Sequence, residues 1–222
     1  MKKDYLCNVG YIRHKDMKTS KAVIAGACLA MAVACNQAPQ QETQTNAVVE
    51  TIMARRSIRN YKQIPVRRDT LNTIMECGIH APNAINKQSW EVRVVDNPEL
   101  LAEMSKAMGE AHPDVPGGFA KDCFRGAPVM TFIARDVAFD FSSYDCGLLA
   151  ENIMLSAWSM GVGSVCLASP VRFLTDNELC KPYLEKLGFS EGYELCLCVG
   201  LGYANEEPEA KPRIAEKVKF VD

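Results

Sequence analysis

Three short segments hold the residue types that could do chemistry. Residues 53–61 read Met-Ala-Arg-Arg-Ser-Ile-Arg-Asn-Tyr. Arg55, Ser57 and Arg59 alternate, so in an extended stretch they point the same way. Two guanidinium forks and a hydroxyl on one side can clamp a phosphate. Arg56 falls on the other side and is the weaker candidate. Residues 81–90 read Ala-Pro-Asn-Ala-Ile-Asn-Lys-Gln-Ser-Trp. Asn86 and Gln88 alternate as well, with Pro82, Asn83 and Ala84 just upstream. Neutral amides offer donors and acceptors together, which suits a flat heterocycle whose edge presents both. Asparagine is also favoured in turns that hold no ligand. In the third segment, residues 200–213, Lys211 and Arg213 flank Pro212 and supply two further cations. Taken alone, that segment reads as an exposed basic tail.

Cations for a phosphate together with amides for a heterocycle are what a flavin nucleotide needs. With these motifs in this order, the sequence resembles the nitroreductase family of FMN-dependent oxidoreductases over residues 48–222. The resemblance implies an α+β, three-layer fold with a central, mostly antiparallel sheet flanked by helices. It also implies a homodimer with two FMN sites at its interface, each lined by both chains. Arg55, Ser57, Arg59, Lys211 and Arg213 would hold the phosphate and the N1/O2 side, with Arg56 as a weaker addition. Pro82, Asn83, Ala84, Asn86 and Gln88 would reach the flavin, some of them in the partner subunit. Cys166 to Ser169, with Leu167 and Ala168, would pass near the flavin N5 edge.

The implied reaction is ping-pong transfer of hydride from NAD(P)H, through flavin N5, to a nitroaromatic or quinone-like acceptor. The flavin carries the chemistry and the protein positions it, so no catalytic nucleophile or base is expected. Arg59, with Lys87 second, would offset negative charge on the reduced ring. Two departures fall near the flavin. Ser89 stands where the family often has proline, and Ala168-Ser169 where many members have Glu-Gly. Alternative readings are reductive dehalogenation or flavin cleavage on the same fold, with 109–125 as a lid, and a non-enzymatic flavin-binding envelope lipoprotein.

The elements that must position these segments can be read from periodicity and turn residues. Val48 to Ala54 has helical spacing, and Arg55 to Tyr61 leaves the helix. Asp69 suits the N-cap of a helix from Thr70 to His80, which Pro82 and the Asn-rich turn end. Trp90 to Val95 alternates as a strand, and Pro98 opens a helix to Met108. Gly117-Gly118 marks a mobile loop, and Pro128 to Ala134 an apolar strand. Ser142 to Met160 is the longest helix, apolar over much of its circumference and expected to be buried; Gly161 and Gly163 end it. Ser164 to Leu167 and Tyr193 to Leu201 read as strands, 171–187 as one or two helices, and Lys217 to Val221 as an edge strand. Helices and strands alternate, which gives a mixed α and β class.

Composition narrows the function classes. The 222 residues are 48% hydrophobic and 23% charged with net charge −2, which describes a globular chain without the basic excess of a nucleic-acid binder. The ten cysteines form no CxxC pair, and His14, His80 and His112 are not paired, so neither zinc nor thioredoxin-type chemistry is indicated. Most cysteines sit in apolar runs as small buried side chains. Cys196 and Cys198, two apart in a strand, are expected on one face. The glycines at 161–163 and 200–202 do not complete a Rossmann fingerprint.

The front of the chain reads as an address. Lys18 and Lys21 precede an apolar run from Ala22 to Ala34, too short for a comfortable membrane span of ~20 residues. It ends Ala32-Val33-Ala34-Cys35, which looks like a bacterial lipoprotein cleavage site, with Ala32 where leucine is usual. Cys35 would be the lipidated residue, Met17 the natural start, and residues 1–16 a mis-called extension. Residues 36–47 would be a polar tether and 48–222 the flavin-binding domain. The expected location is the cell envelope, lipid-anchored, with the cytoplasm as the alternative. An envelope site has no obvious NAD(P)H supply, which leaves the electron donor open.

Overall fold

The computed structural model describes residues 46–221. The leader, the cleavage site at Cys35 and most of the tether lie outside the described residues. Among the described residues there are six helices: α1 Ala47–Ala54, α2 Arg68–Ile79, α3 Pro98–Ala111, α4 Ser142–Ser159, α5 Ser169–Thr175 and α6 Lys181–Leu187. Four strands, β1 Trp90–Val95, β2 Val129–Asp136, β3 Gly163–Leu167 and β4 Tyr193–Gly202, form one sheet in the order β1-β2-β4-β3. Every neighbouring pair is antiparallel.

The sheet is the middle of three layers. On one face α2 and α4 pack Leu71, Ile74, Leu149 and Ile153 against Val129, Ile133, Val199 and Leu201. On the other, α3, α5 and α6 bring Leu101, Met104, Met108, Phe173 and Leu187 onto Met130, Phe132, Val165 and Cys198. Strand β2 is buried on both sides from Val129 to Ala134, which its apolar run, broken only by Thr131, anticipates. A Cβ on Gly78 would stand 2.6 Å from the Ile153 side chain; glycine is what lets α2 lie close on α4.

Five expectations change. Asp69 does not cap α2: the helix begins at Arg68, and the Asp69 carboxylate sits in its first turn. There it accepts from Thr70 N at 2.8 Å and pairs with Arg67, a favourable place for negative charge at a helix start. Helix α4 is not buried all round. Cys146, Leu149, Ala150, Ile153 and Ala157 face inward, while Tyr144 (70%) and Leu148 (45%) are left exposed. Lys217 to Val221 forms no strand; a 3-10 turn at Ala215–Lys217 leads into an exposed end with no ladder partner. Gly117 and Gly118 lie in a defined 3-10 turn, both at φ +67°. Cys196 and Cys198 face opposite layers. Ile133 pairs with Leu197 but Ala134 with Leu195, so Cys196 is the extra residue of a β-bulge. Cys198 joins the α3 side and Cys196 the α4 side.

Candidate functional site

The arginine segment is a strip laid on the end of the sheet. After α1 the backbone becomes extended at Arg55. Ser57 bridges Ser164 in parallel and Tyr61 bridges Ala204 antiparallel, and Ile58 N donates to Ser164 O at 2.9 Å. Ile58 and Tyr61 are buried beneath the strip. The strip fits because its floor is glycine: a Cβ on Gly163 would meet Ile58 at 2.8 Å, and one on Gly202 would meet Tyr61 at 2.8 Å. Arg55, Ser57 and Arg59 are thereby left on the outer side, as their alternation predicts. Arg56 has a structural job, its Nη1 donating to Met53 O (2.7 Å) and Arg55 O (2.9 Å) at the open end of α1.

The tail after β4 folds back over this strip. The Glu206 carboxylate accepts from the backbone N–H of Arg59 and, at 3.2 Å, of Asn60. Asn205 N donates to Asn60 O at 3.0 Å. The result is a cavity of about 150 Å³ lined by Arg55, Arg56, Ser57, Arg59, Pro208, Glu209, Lys211 and Arg213. Five cations and one carboxylate surround a space of phosphate size. Among the described residues, the only ion pair made by any of the five is Arg55 Nη2 to Glu151 Oε1, at 3.5 Å. Among the described residues the guanidinium groups of Arg59 and Arg213 donate only to backbone carbonyls, Ser57 O and Lys211 O. The Arg55 Nε is buried with no partner among the described residues. An unpaired buried donor is costly, and an anionic oxygen is the acceptor this cavity lacks. The residues present therefore fit a phosphate-bearing group.

The amide turn is mounted elsewhere, at the start of α4. Ile85, Asn86 and Gln88 have φ of 51°, 55° and 52°, the left-handed region that non-glycine residues avoid. The bonds that hold it there come from its two ends. Asp145 Oδ1 accepts from Ala84 N at 3.0 Å and Oδ2 from Ser89 Oγ at 2.6 Å. Asn83 Oδ1 accepts from Gln88 N at 2.8 Å, so Asn83 closes the turn from within. Lys87 pairs with Asp136 at 3.2 Å and lies over the Phe139 ring. Asp136 is held below the ordinary aspartate range by the Ala138 N–H and then by Lys87. The side chains of Asn86 and Gln88 are exposed and bond to nothing among the described residues. Their backbone is not the alternating strip the sequence suggests, because the left-handed residues coil it into a turn.

The end of β3 adjoins the arginine strip, two residues beyond the Ser57–Ser164 bridge. Cys166 is exposed, while Leu167 turns into the core, so only the Leu167 backbone is presented. Although the residue is exposed, partial desolvation of its sulfur and then the nearby Glu151 carboxylate raise the Cys166 thiol, against the pull of Arg55. Ala168 leads directly into α5.

The structure thus joins Arg55, Arg56, Ser57, Arg59, Lys211 and Arg213 around one cavity, and Leu167 and Ala168 are not among the residues that line it. Pro82, Asn83, Ala84, Asn86 and Gln88 do not line that cavity. Both groups are tied to α4, through Glu151 and Asp145, six residues or about 9 Å apart along the axis. Sequence reasoning missed Glu206 and Asp145, the two carboxylates that fix these segments. Glu206 is one of several acids in a polar tail, and Asp145 resembles an ordinary helix-start acid. A larger cavity of about 620 Å³, bordered by Val171, Leu184, Phe189 and Leu195, contains none of the predicted residues and no cation.

This arrangement can be set beside known proteins. The profile of the Nitroreductase family matches residues 52–203. The chain belongs to the nitroreductase family. An NADPH-flavin oxidoreductase of Vibrio harveyi is 28% identical over 180 residues, covering 78% of this chain and 72% of the relative. The fold is also that of a nitroreductase with bound FMN from Desulfitobacterium hafniense DCB-2, at 27% identity and a TM-score of 0.73. That match covers 80% of this nitroreductase-family chain and 100% of the other. A nitroreductase with bound FMN from Bacteroides fragilis NCTC 9343 matches at 28% identity and a TM-score of 0.72, with the same coverage.

Proposed function

We propose that this chain is an FMN-dependent NAD(P)H oxidoreductase that works as a homodimer on nitroaromatic or quinone-like acceptors. The single observation that carries the cofactor is the cationic cavity, with its buried, unpaired Arg55 Nε. The family membership and the FMN-bound neighbours support the same reading. When bound, FMN supplies two-electron transfer between a nicotinamide and an acceptor.

The residues of the chain then have distinct tasks. Arg55, Ser57, Lys211 and Arg213 would bind phosphate oxygens. Arg59, exposed and lightly engaged, is the better candidate than ion-paired Lys87 to offset negative charge on the ring. The exposed amides of Asn86 and Gln88 would read the polar edge of the ring. Because they stand apart from the cationic cavity, a second copy of the chain would complete the site. The apolar residues of α1 and α4 left exposed in one chain support that pairing.

The test is the visible spectrum of the purified protein before and after anaerobic addition of NADH and NADPH. Flavin absorbance that bleaches with a nicotinamide is expected. A protein that takes up no flavin after incubation with FMN overturns the cofactor; one that bleaches only with dithionite overturns the donor.

A further inference from the structure

Cys146 and Cys196 come from different elements and share one small space. Cys146 lies in the second turn of α4, fully buried, with its sulfur 3.6 Å from Ala134 O in β2. Ala134 pairs with Leu195 of β4, and the next residue, Cys196, is the bulged one with no partner across the ladder. Cys196 packs against the cluster that contains Cys146. Cys146 is sealed from solvent, whereas Cys196 is half-buried and open to a small reagent. Among the described residues no group of three or more metal-ligating side chains exists.

The surroundings divide the two sulfurs by role. The Cys196 thiol is lowered, first by the neighbouring Cys146 thiol, against burial, and further by the Arg135 guanidinium and the Ser143 hydroxyl. Cys146 is raised by Cys196, by burial and by the neighbouring Asp145 carboxylate. One sulfur is thus open to a small reagent and the other a protected thiol in the same cluster, the arrangement of an attacking and a resolving cysteine.

We propose that Cys146 and Cys196 are a redox pair that closes an intramolecular disulfide between α4 and the β4 bulge on meeting a peroxide. The Cys196 thiolate attacks one oxygen of hydrogen peroxide and breaks the O–O bond. Hydroxide leaves, and Cys196 becomes a sulfenic acid. The Cys146 sulfur then displaces the sulfenic hydroxyl, which leaves as water with the thiol proton. Two thiols and one peroxide give one disulfide and two waters. Each sulfur loses one electron, and the two peroxide oxygens gain the pair. Neither sulfur belongs to the flavin reading, so this proposal stands or falls separately.

The test treats the reduced full chain with one equivalent of hydrogen peroxide, alkylates with N-ethylmaleimide and maps the peptides by tandem mass spectrometry. Fragment ions are needed because Cys146 shares a tryptic peptide with Cys166, and Cys196 with Cys198. The expected result is a Cys146–Cys196 cross-link, lost in Cys196→Ser. In Cys146→Ala, Cys196 should stop at a sulfenic acid that dimedone traps. A wild-type chain in which the Cys196 sulfenic acid persists, in which Cys166 forms the cross-link, or in which no thiol reacts overturns the proposal.

Discussion

The Ser89 hydroxyl donates to Asp145 Oδ2 across 2.6 Å, and both residues are buried. This bond joins the end of the amide turn to the first turn of α4. It also gives a physical reason for a departure from the family pattern. Where proline often follows the glutamine, a residue without a hydroxyl could not satisfy this carboxylate. Ser89→Ala should therefore cost about 1.5–3 kcal/mol, the range for a hydrogen bond to a charged group. It should also weaken FMN binding through loss of turn geometry, with Asp145→Ala worse on both counts. Thermal melts and a flavin fluorescence titration measure the two effects. Unchanged melting and unchanged affinity in Ser89→Ala would show that the bond holds nothing.

The arginine strip was legible in the sequence because its side chains alternate and its backbone is extended; one period-2 rule places Arg55, Ser57 and Arg59 together. The helices and strands flanking it were legible for a similar reason, since each buries one regular stripe. The amide turn was legible by composition but not by shape. Period-2 reasoning fails at Ile85, Asn86 and Gln88, because the left-handed backbone depends on Asp145, 57 residues beyond Gln88. A bulge is equally invisible: nothing in Leu-Cys-Leu-Cys-Val says that Cys196 lacks a cross-strand partner. The tail reads as polar, yet Glu206 ties it to Arg59 and Asn60, a contact between residues 146 or 147 apart.

The cations around the cavity should trade stability for binding. Five positive charges with one ion pair repel one another in the empty protein and are relieved by an anion. Arg59→Ala or Lys211→Ala should raise the FMN dissociation constant roughly 10-fold or more, the equivalent of about 1.5 kcal/mol for one charge-assisted bond. Melting of the cofactor-free protein should hold steady or rise. A flavin titration paired with melts of the apoprotein checks this. If the variants lose stability without losing affinity, the cluster is structural.

Acid should release the amide turn late. Asp136 lies below its ordinary value of 3.8 because the Ala138 N–H, and then Lys87, favour its charged form. A depressed carboxylate stabilises the fold fully above its unfolded value, and the contribution is lost as pH falls through the lower folded value. The Lys87 anchor should thus be constant from neutral pH to about 5 and fail below 3.8. Trp90 neighbours the turn, so tryptophan fluorescence against pH reports it, with Asp136→Asn as the control that starts out loosened. A transition between pH 5 and 7 that Asp136→Asn abolishes would contradict the assignment.

Helix α1 is the strongest sign of an absent surface. Val48, Val49, Ile52 and Met53 are all exposed, and the helix buries none of its own residues in the single chain. Eight residues are too few for a helix to be stable alone in water, and its contact with α4 leaves these four apolar side chains exposed. A groove between α1 and α4, bordered by Val48, Thr51 and Leu155, continues the apolar surface, and Tyr144 and Leu148 extend it along α4. Self-association through this face would bury each residue twice by symmetry. Replacing one buried Ile or Leu by aspartate then removes about 3–6 kcal/mol across both copies, two to four orders of magnitude in the dimer dissociation constant. Light scattering behind size exclusion should find wild type at twice the chain mass, and Ile52→Asp and Leu148→Asp as monomers with weakened flavin binding. Glu99→Lys, on exposed α3 surface, should remain a dimer. Monomeric wild type that binds FMN fully would place the whole site within one chain and leave the α1 face to another partner.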